Sequence, residues 1–218
     1  MILSYTEENY LKAIFKIGSE SGTNEVGTNE LALSLNVKPA SVNEMLKKLK
    51  DKKMVAYEKY GKIKLTQSGR EEAIALIRKH RLWETFLCEK LDFKWDEVHE
   101  VAEELEHIHS KKLIDKLDKF LEYPAYDPHG DPIPNEKGEF KKQSRKKLSE
   151  AKVGQQYRVV GIKDDSSTFL QYLDSLGLGI HTELKIISRE DFDGLTLIQI
   201  GSETKTVSQK LTQNIYIQ

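Results

Sequence analysis

The hydrophobic period of the chain changes near Val153, and this change constrains the fold more than any single motif. Upstream, apolar residues recur every three to four positions. Downstream they fall into short runs, Tyr157-Arg158-Val159-Val160-Gly161-Ile162, Glu183-Leu184-Lys185-Ile186-Ile187, Leu195-Thr196-Leu197-Ile198-Gln199-Ile200 and Asn214-Ile215-Tyr216-Ile217. The first pattern belongs to amphipathic helices and the second to short strands of a small barrel. A mainly α chain with a C-terminal β-barrel follows, one short helix near Phe169–Leu176 lying within the barrel segment. Four of the five prolines, Pro124, Pro128, Pro132 and Pro134, crowd into residues 123–134. That segment is therefore an ordered turn or a linker.

In the N-terminal third, Thr6 is positioned to cap a helix whose inward face is Tyr10, Leu11, Ile14 and Phe15, interrupted at Gly22 and Gly27. Thr28 starts a short helix through Leu31, Ala32 and Leu35. Asn36-Val37-Lys38 turns, and Pro39 opens a second helix with Val42, Met45, Leu46 and Leu49 inward. Met54-Val55-Ala56-Tyr57 and Ile63-Lys64-Leu65 flank Lys59-Tyr60-Gly61-Lys62 as a basic hairpin. Helix, turn, helix and hairpin in this order are the plan of a winged helix-turn-helix.

The helix from Pro39 leaves Ser41, Asn43, Glu44, Lys47 and Lys48 on its outer face. Ser41, Asn43 and Glu44 can read base edges, and Lys38, Lys47, Lys48 and Lys62 can meet phosphates. A lysine-rich face is also ordinary on a solvated helix, so the order of elements carries more weight than the charges. The net charge is −1, but it is unevenly spread. Residues 1–70 carry 12 Lys/Arg against 8 Asp/Glu, residues 71–150 carry 15 against 19, and residues 151–218 carry 7 against 8. A basic third beside an acidic middle suits a polyanion-binding module joined to a cation-binding one.

The acidic middle holds two histidine–carboxylate clusters. A long helix is expected from Thr66 to about Leu91, and on it His80 and Glu84 share an arc with Ala73, Ile77, Leu87 and Leu91. A carboxylate inside an apolar stripe requires a counter-charge, a shared hydrogen bond or a metal, and a self-satisfied His80–Glu84 pair is the simplest of these. A second helix, from about Trp95 to His109, places His99, Glu103, Glu106 and His107 within roughly a 100° arc opposite Val98, Val101, Ala102, Leu105 and Ile108. That arc can hold a divalent cation or simply face water. A last amphipathic helix, with Ser110 as its cap, carries Leu113, Ile114, Leu117, Phe120 and Leu121. The apolar surface of these helices exceeds what so small a unit can bury, and a second copy would cover it.

Other classes are bounded by what the chain lacks. No run approaches the roughly 18 apolar residues of a membrane helix. The start, Met1 to Thr6, does not read as a secretion signal. The single Cys88 excludes an internal disulfide and suits a reducing cytoplasm; it reads as a soft ligand, a reactive thiol or a small core residue. The domains expected are a winged helix-turn-helix over 1–70, a helical metal-binding and dimerisation domain over 71–140, a basic linker over 141–152 and a small β-barrel over 153–218.

Several segments together resemble the diphtheria-toxin-repressor family of metal-dependent transcriptional regulators, in particular its manganese-transport-regulator branch. They are Leu35-Asn36-Val37-Lys38-Pro39-Ala40-Ser41-Val42, Tyr57-Glu58-Lys59-Tyr60, His80-x-x-x-Glu84, Val98-His99-x-x-x-Glu103-x-x-Glu106-His107 and Asp127-Pro128-His129-Gly130-Asp131-Pro132-Ile133-Pro134. Leu176-Gly177-Leu178-Gly179-Ile180 is similar to the SH3-like, iron-transport-A-type barrel of three-domain members. The resemblance covers nearly the whole chain. It implies a homodimeric repressor that binds a pseudo-palindromic duplex operator when Mn2+, or alternatively Fe2+, is bound. It further implies a principal site of Asn9, Glu103, Glu106 and His107 and an ancillary site of His80, Glu84, His99 and Asp165.

Three positions depart from the family pattern. Asn9 stands where Met or Asp is usual, Lys12 where the shorter manganese regulators have a Glu ligand, and Thr168 where iron-type members have Gln. Lys12 argues against a close two-metal cluster and for two separated sites. Glu103 replaces the Cys of iron-type members and makes a harder donor set that suits Mn2+. Three other functions compete. A metal-dependent hydrolase could use the same His/Glu cluster but leaves the winged helix unexplained. A metal-independent DNA-binding regulator leaves His80 and Glu84 without a reason, and a peptide adaptor would act through the barrel alone.

Overall fold

The computed structural model describes residues 3–57 and 61–218. Glu58, Lys59 and Tyr60 of the expected wing lie outside the described residues. The chain forms two compact units. The first takes the N-terminal residues up to His80 with Leu105–Ser110 and Pro134–Glu139, and the second takes Arg81–Glu104, Lys111–Ile133 and Phe140–Gln218.

In the first unit, α1 spans Tyr5–Ser21, α2 Thr28–Ser34 and α3 Pro39–Asp51. The cap of α1 is Ser4 and not Thr6. Ser4 and Glu7 form a reciprocal capping box, Glu7 accepting from the Ser4 amide at 2.8 Å, an arrangement worth about 1 kcal/mol. Gly22, at φ 69°, closes the helix in the left-handed conformation that glycine adopts without strain. Between α2 and α3 the chain turns at Asn36 (φ 52°), and Pro39 supplies the first residue of α3, where a missing N–H costs nothing. Leu11, Leu31, Val42, Leu46, Leu49 and Ile63 are fully buried, each contributing about 1.5–3 kcal/mol of apolar burial.

Strands β1 (Val55–Ala56) and β2 (Lys64–Leu65) pair antiparallel as the base of the hairpin, and Val26 bridges Ile63 beside them. The long helix α4 runs from Gln67 to Leu91. A Cβ at Gly69 in its first turn would stand 2.0 Å from the Met54 carbonyl oxygen, so only glycine lets this turn approach the hairpin so closely.

In the second unit, α5 covers Val98–Leu105 and α6 Lys111–Phe120. The expected helix from Trp95 to His109 is thus much shorter, and Glu106 and His107 sit in the turn that ends it. Leu91, expected to face inward, is half exposed at the last residue of α4. The C-terminal sheet has six antiparallel strands in the order β3-β8-β4-β5-β6-β7. They are β3 Lys146–Lys147, β4 Gln156–Ile162, β5 Glu183–Arg189, β6 Thr196–Ile200, β7 Glu203–Val207 and β8 Ile215–Ile217.

Bulges between Val159 and Gly161 and between Ile186 and Ser188 bend β4 and β5. The barrel core is Val159, Ile186, Ile198, Ile215 and Ile217, with Leu170 and Leu173 from α7 (Ser167–Ser175). A further short helix, α8, covers Gln209–Gln213. Lys146 and Lys147, placed in the linker by the sequence reading, pair with β8. Strand β7 was not expected, because Glu-Thr-Lys-Thr is polar and only Val207 turns inward from this edge.

The proline-rich segment is ordered. Asp127 accepts backbone N–H bonds from His129 and Asp131, both at 2.9 Å, and Arg81 donates to the Pro132 carbonyl at 2.6 Å. The loop is stitched to β4 by Ile162 N–H donating to the His129 carbonyl at 2.9 Å. Just before α5, Trp95 donates to Asp174 of α7 at 3.0 Å, and Ser167 and Gln171 of α7 donate to Asp96 at 2.7 and 2.8 Å. Among the described residues, no helix is long and apolar enough to cross a membrane.

Candidate metal centre and nucleic-acid interface

In the first unit, α1 and the turn after α5 bring ionisable groups together in a buried setting. Glu106 has no exposed surface, so the expectation of a wetted acidic arc fails at this position. Both of its carboxylate oxygens take the Lys12 ammonium, at 2.6 and 2.8 Å, and Oε2 also lies 2.6 Å from His80 Nδ1. His107 is buried, stacks on Tyr5 with ring centroids 4.3 Å apart, and meets Glu8 through Nδ1 at 2.5 Å. Its other nitrogen, Nε2, lies on the Glu106 side, 3.9 Å from Oε1.

A carboxylate on one imidazole nitrogen fixes the ring and raises the donor strength of the other. Glu8 therefore acts as the group that orients His107. It was missed in the sequence, although an acid on the buried stripe of α1 is the same kind of signal that singled out Glu84. Lys79 adds positive charge nearby. Burial lowers its ammonium from the usual lysine value, against the pull of Glu8, Glu106 and Glu72.

Asn9 Oδ1 is buried and has no hydrogen-bond partner among the described residues. A buried amide oxygen that accepts nothing is costly, and a cation would satisfy it. The Asn9 oxygen, the Glu106 carboxylate and His107 Nε2 are donors of the oxygen and imidazole type that suits a divalent metal. Of the four principal residues expected, Asn9, Glu106 and His107 belong to this unit. Glu103 belongs to the second, where its carboxylate lies 3.6 Å from His99 Nε2.

The second unit centres on Glu84. Its two oxygens face two histidines, His99 Nδ1 at 3.4 Å and His129 Nδ1 at 3.7 Å, and Asp165 reaches His99 at 4.0 Å. Donor atoms of Glu84, Asp127 and His129, all buried, lie within 4.8 Å of one another. Three of the expected ancillary residues, Glu84, His99 and Asp165, are thus gathered here, whereas His80, one turn earlier on α4, points to Glu106 in the first unit. Asp127 and His129 lie on a proline-rich loop that has no periodicity by which the sequence could aim them.

His129 Nε2 lies 2.8 Å from the Trp95 carbonyl, which can only accept, so Nδ1 is the nitrogen turned toward Glu84. Burial would lower the imidazole pKa, but the hydrogen bond and charge of Glu84, with Asp127, outweigh it and push it up to about 9. Burial and the charges of Glu84 and Asp131 push Asp127 up to about 7, against Arg81 and His129. Cys88 is half-buried, and burial with the charges of Glu84 and Glu89 pushes its thiol up to about 11. It is a protonated, poorly nucleophilic group at neutral pH.

On the nucleic-acid side, Ser41, Glu44, Lys47 and Lys48 of α3 are exposed, as are Lys38 and Lys62. Asn43 is half-buried, because the Tyr57 hydroxyl donates to its Oδ1 at 2.7 Å. Lys50 of α3 in turn donates to the Tyr57 carbonyl at 2.9 Å. Tyr57, the residue that follows β1, is therefore tied to α3 at two points.

Comparison with known proteins agrees in each segment. Residues 2–63 match the iron dependent repressor N-terminal DNA binding domain, 66–135 the iron dependent repressor metal binding and dimerisation domain, and 146–218 the FeoA domain. An HTH-type transcriptional regulator of Methanocaldococcus jannaschii is 38% identical over 120 residues, covering 55% of this chain and 95% of that protein. A solved manganese-dependent transcriptional repressor in complex with manganese superposes with a TM-score of 0.87 at 34% identity, covering 97% of this chain and 98% of the other.

The chain belongs to the diphtheria-toxin-repressor family. It falls in the manganese-regulator branch of that family. A probable metal transport system membrane protein of Chlamydia trachomatis is 47% identical over 70 residues, 32% of this chain, and the match spans only 16% of that protein's length. The three-part architecture of this family member is the one expected from the sequence: a helix-turn-helix head, a helical segment and an SH3-like sheet.

Proposed function

We propose that this protein is a homodimeric, Mn2+-dependent transcriptional repressor, with Fe2+ as the alternative effector, that binds a pseudo-palindromic duplex operator in the cytoplasm and controls metal-ion homeostasis. The observation that carries this reading is the coexistence in one compact unit of an exposed recognition helix and a buried donor set, Asn9, Glu106 and His107. A bound divalent cation would supply positive charge to that set. Asn9 and Glu8 contribute from α1, which packs on α2 and β2, so the donor set fixes α1 and through it the head. A hydrolase would leave the exposed helix-turn-helix unused.

The domains are taken as 1–70, 71–140, a connector over 141–152 and a barrel from 153 that also recruits Lys146 and Lys147. Leu91, Leu113, Phe120 and Tyr123 of the second unit are exposed, and they are the surface assigned to the second copy. The ancillary site is assigned to Glu84, Asp127 and His129, with His99 and Asp165 adjoining through Glu84; His80 is reassigned to support Glu106.

Because His129 holds a proton up to about pH 9, a cation that binds Nδ1 must displace it. Affinity at this site should therefore rise with pH between about 7 and 9, by up to tenfold per unit for one proton released. Isothermal titration of Mn2+ in buffers of different ionisation enthalpy checks this, and an affinity flat across that range would rule out His129 as a ligand.

The recognition face makes a separate test. Lys47→Ala or Lys48→Ala should weaken binding to all sequences alike and lower the salt slope by about one unit. Asn43→Ala and Glu44→Ala should instead change preference at particular base pairs by roughly 1–3 kcal/mol. Binding-site selection on the four proteins separates the two effects. Unchanged preferred sequences in both of the last two variants would mean that the reading face lies elsewhere.

A further inference from the structure

The contact between Lys12 and Glu106 carries a consequence for how readily this protein responds to metal. Glu106 is completely buried, and an ionised carboxylate in that position must be paired. Its partner is an ammonium bonded to both oxygens at 2.6 and 2.8 Å, with His80 Nδ1 also against Oε2 at 2.6 Å. Three of the roughly four acceptor positions of this carboxylate are thus already used, two of them by the same ammonium. A divalent cation that takes Glu106 as a ligand needs at least one of those oxygens, and it brings two positive charges to a place where a third is seated.

Lys12 is suited to give way. Its ammonium rides on a flexible four-carbon stem whose side chain is 18% exposed, so the head has a path to water. It also lies on α1, three residues beyond Asn9, whose buried Oδ1 has no hydrogen-bond partner among the described residues. The same helix therefore carries both the cation that satisfies Glu106 without metal and an oxygen left over for the metal.

We propose that Lys12 is a resident counter-cation, which occupies Glu106 in the metal-free protein and must release it for a divalent ion to bind, and so sets the metal concentration at which the protein responds. The inference rests on the assignment of Glu106 to the principal site. It goes beyond that assignment, because it makes a residue that is not a ligand the determinant of affinity, through competition rather than support.

Two substitutions in the full-length protein separate competition from a structural role. Lys12→Met keeps the stem and removes the competitor. Lys12→Arg replaces it with a guanidinium that grips a carboxylate through two parallel bonds and leaves less readily. The readout is free Mn2+ measured by electron paramagnetic resonance during titration at pH 7, with Glu106→Gln marking the isotherm component that belongs to this site.

The expected result is that Lys12→Met tightens that component by about tenfold and lowers the melting temperature of the metal-free protein, with saturating Mn2+ restoring it. Lys12→Arg should weaken the component by a similar factor. Weaker or unchanged binding in Lys12→Met, or unchanged or tighter binding in Lys12→Arg, overturns the proposal. If Lys12→Met does not fold without metal, Lys12→Arg decides alone. A wild-type isotherm that Glu106→Gln leaves intact would instead overturn the site assignment, and the proposal with it.

Discussion

Replacing Glu106 with alanine should erase the metal response of operator binding altogether. The response itself is expected to be a coupling of roughly 1–3 kcal/mol, a 5- to 150-fold gain in operator affinity. Glu106 is the carboxylate on which Lys12 and His80 converge, so no neighbour can stand in for it. The alanine variant also removes the partner of the Lys12 ammonium; because that side chain is 18% exposed and can turn to water, the loss of stability should be about 1–3 kcal/mol. Glu106→Gln, which keeps an oxygen for Lys12, is the gentler form of the same test. His107→Ala should lose the response too, since it removes the imidazole that Glu8 orients. Fluorescence anisotropy of a labelled operator with and without Mn2+, beside thermal melts of each variant, reads both effects; a full metal response in either alanine variant would mean that the principal site has been misplaced.

The largest purely structural effect is expected at Gly130. Its φ is +83°, and a Cβ built there would stand 2.3 Å from the Val160 carbonyl oxygen and 2.8 Å from Gly161 Cα. Both obstacles are backbone of β4 and cannot rotate away. Backbone strain of about 1–3 kcal/mol and overpacking of a similar size add, so Gly130→Ala should lose about 3 kcal/mol or more in urea denaturation. The preceding residue is His129, whose carbonyl is bonded to Ile162, so the substitution should also weaken Mn2+ binding at the Glu84, Asp127 and His129 group. A denaturation midpoint equal to wild type would show that the loop can leave β4 at little cost.

Elements with strong periodicity were legible in the sequence. The inward faces of α1 and α3 and four of the six barrel strands follow from apolar spacing, and Pro39 marks the start of α3. Edges and ends were not. Ser4 outcompetes Thr6 as the cap because Glu7 completes its capping box, a preference that the apolar spacing does not register. Strand β7 hides in a polar run because an edge strand buries little.

The candidate sites divide in the same way. His80, Glu84, His99, Glu106 and His107 were found because polar groups at helical spacing betray themselves against an apolar stripe. Spacing alone does not group them, because the grouping depends on where α5 stops. The family resemblance implies Glu84 with His99 and Asp165, which the structure gathers, but puts His80 with them and Glu103 with Glu106, which it does not. The helix ends at Leu105, so Glu106 and His107 leave the arc that the spacing predicts and meet Glu8 and Lys12 of α1. Asp127 and His129 come from an irregular loop whose aim is set by Arg81 and β4, contacts distant in sequence.

The central claim, that a divalent cation and duplex operator are coupled through this chain, is tested most directly by one titration. Operator affinity of the full-length wild-type protein is measured at fixed ionic strength in excess chelator and again in saturating Mn2+. The account predicts binding tighter by about 5- to 150-fold in Mn2+, with the gain absent in Glu106→Gln. Equal affinity in the two conditions would contradict it.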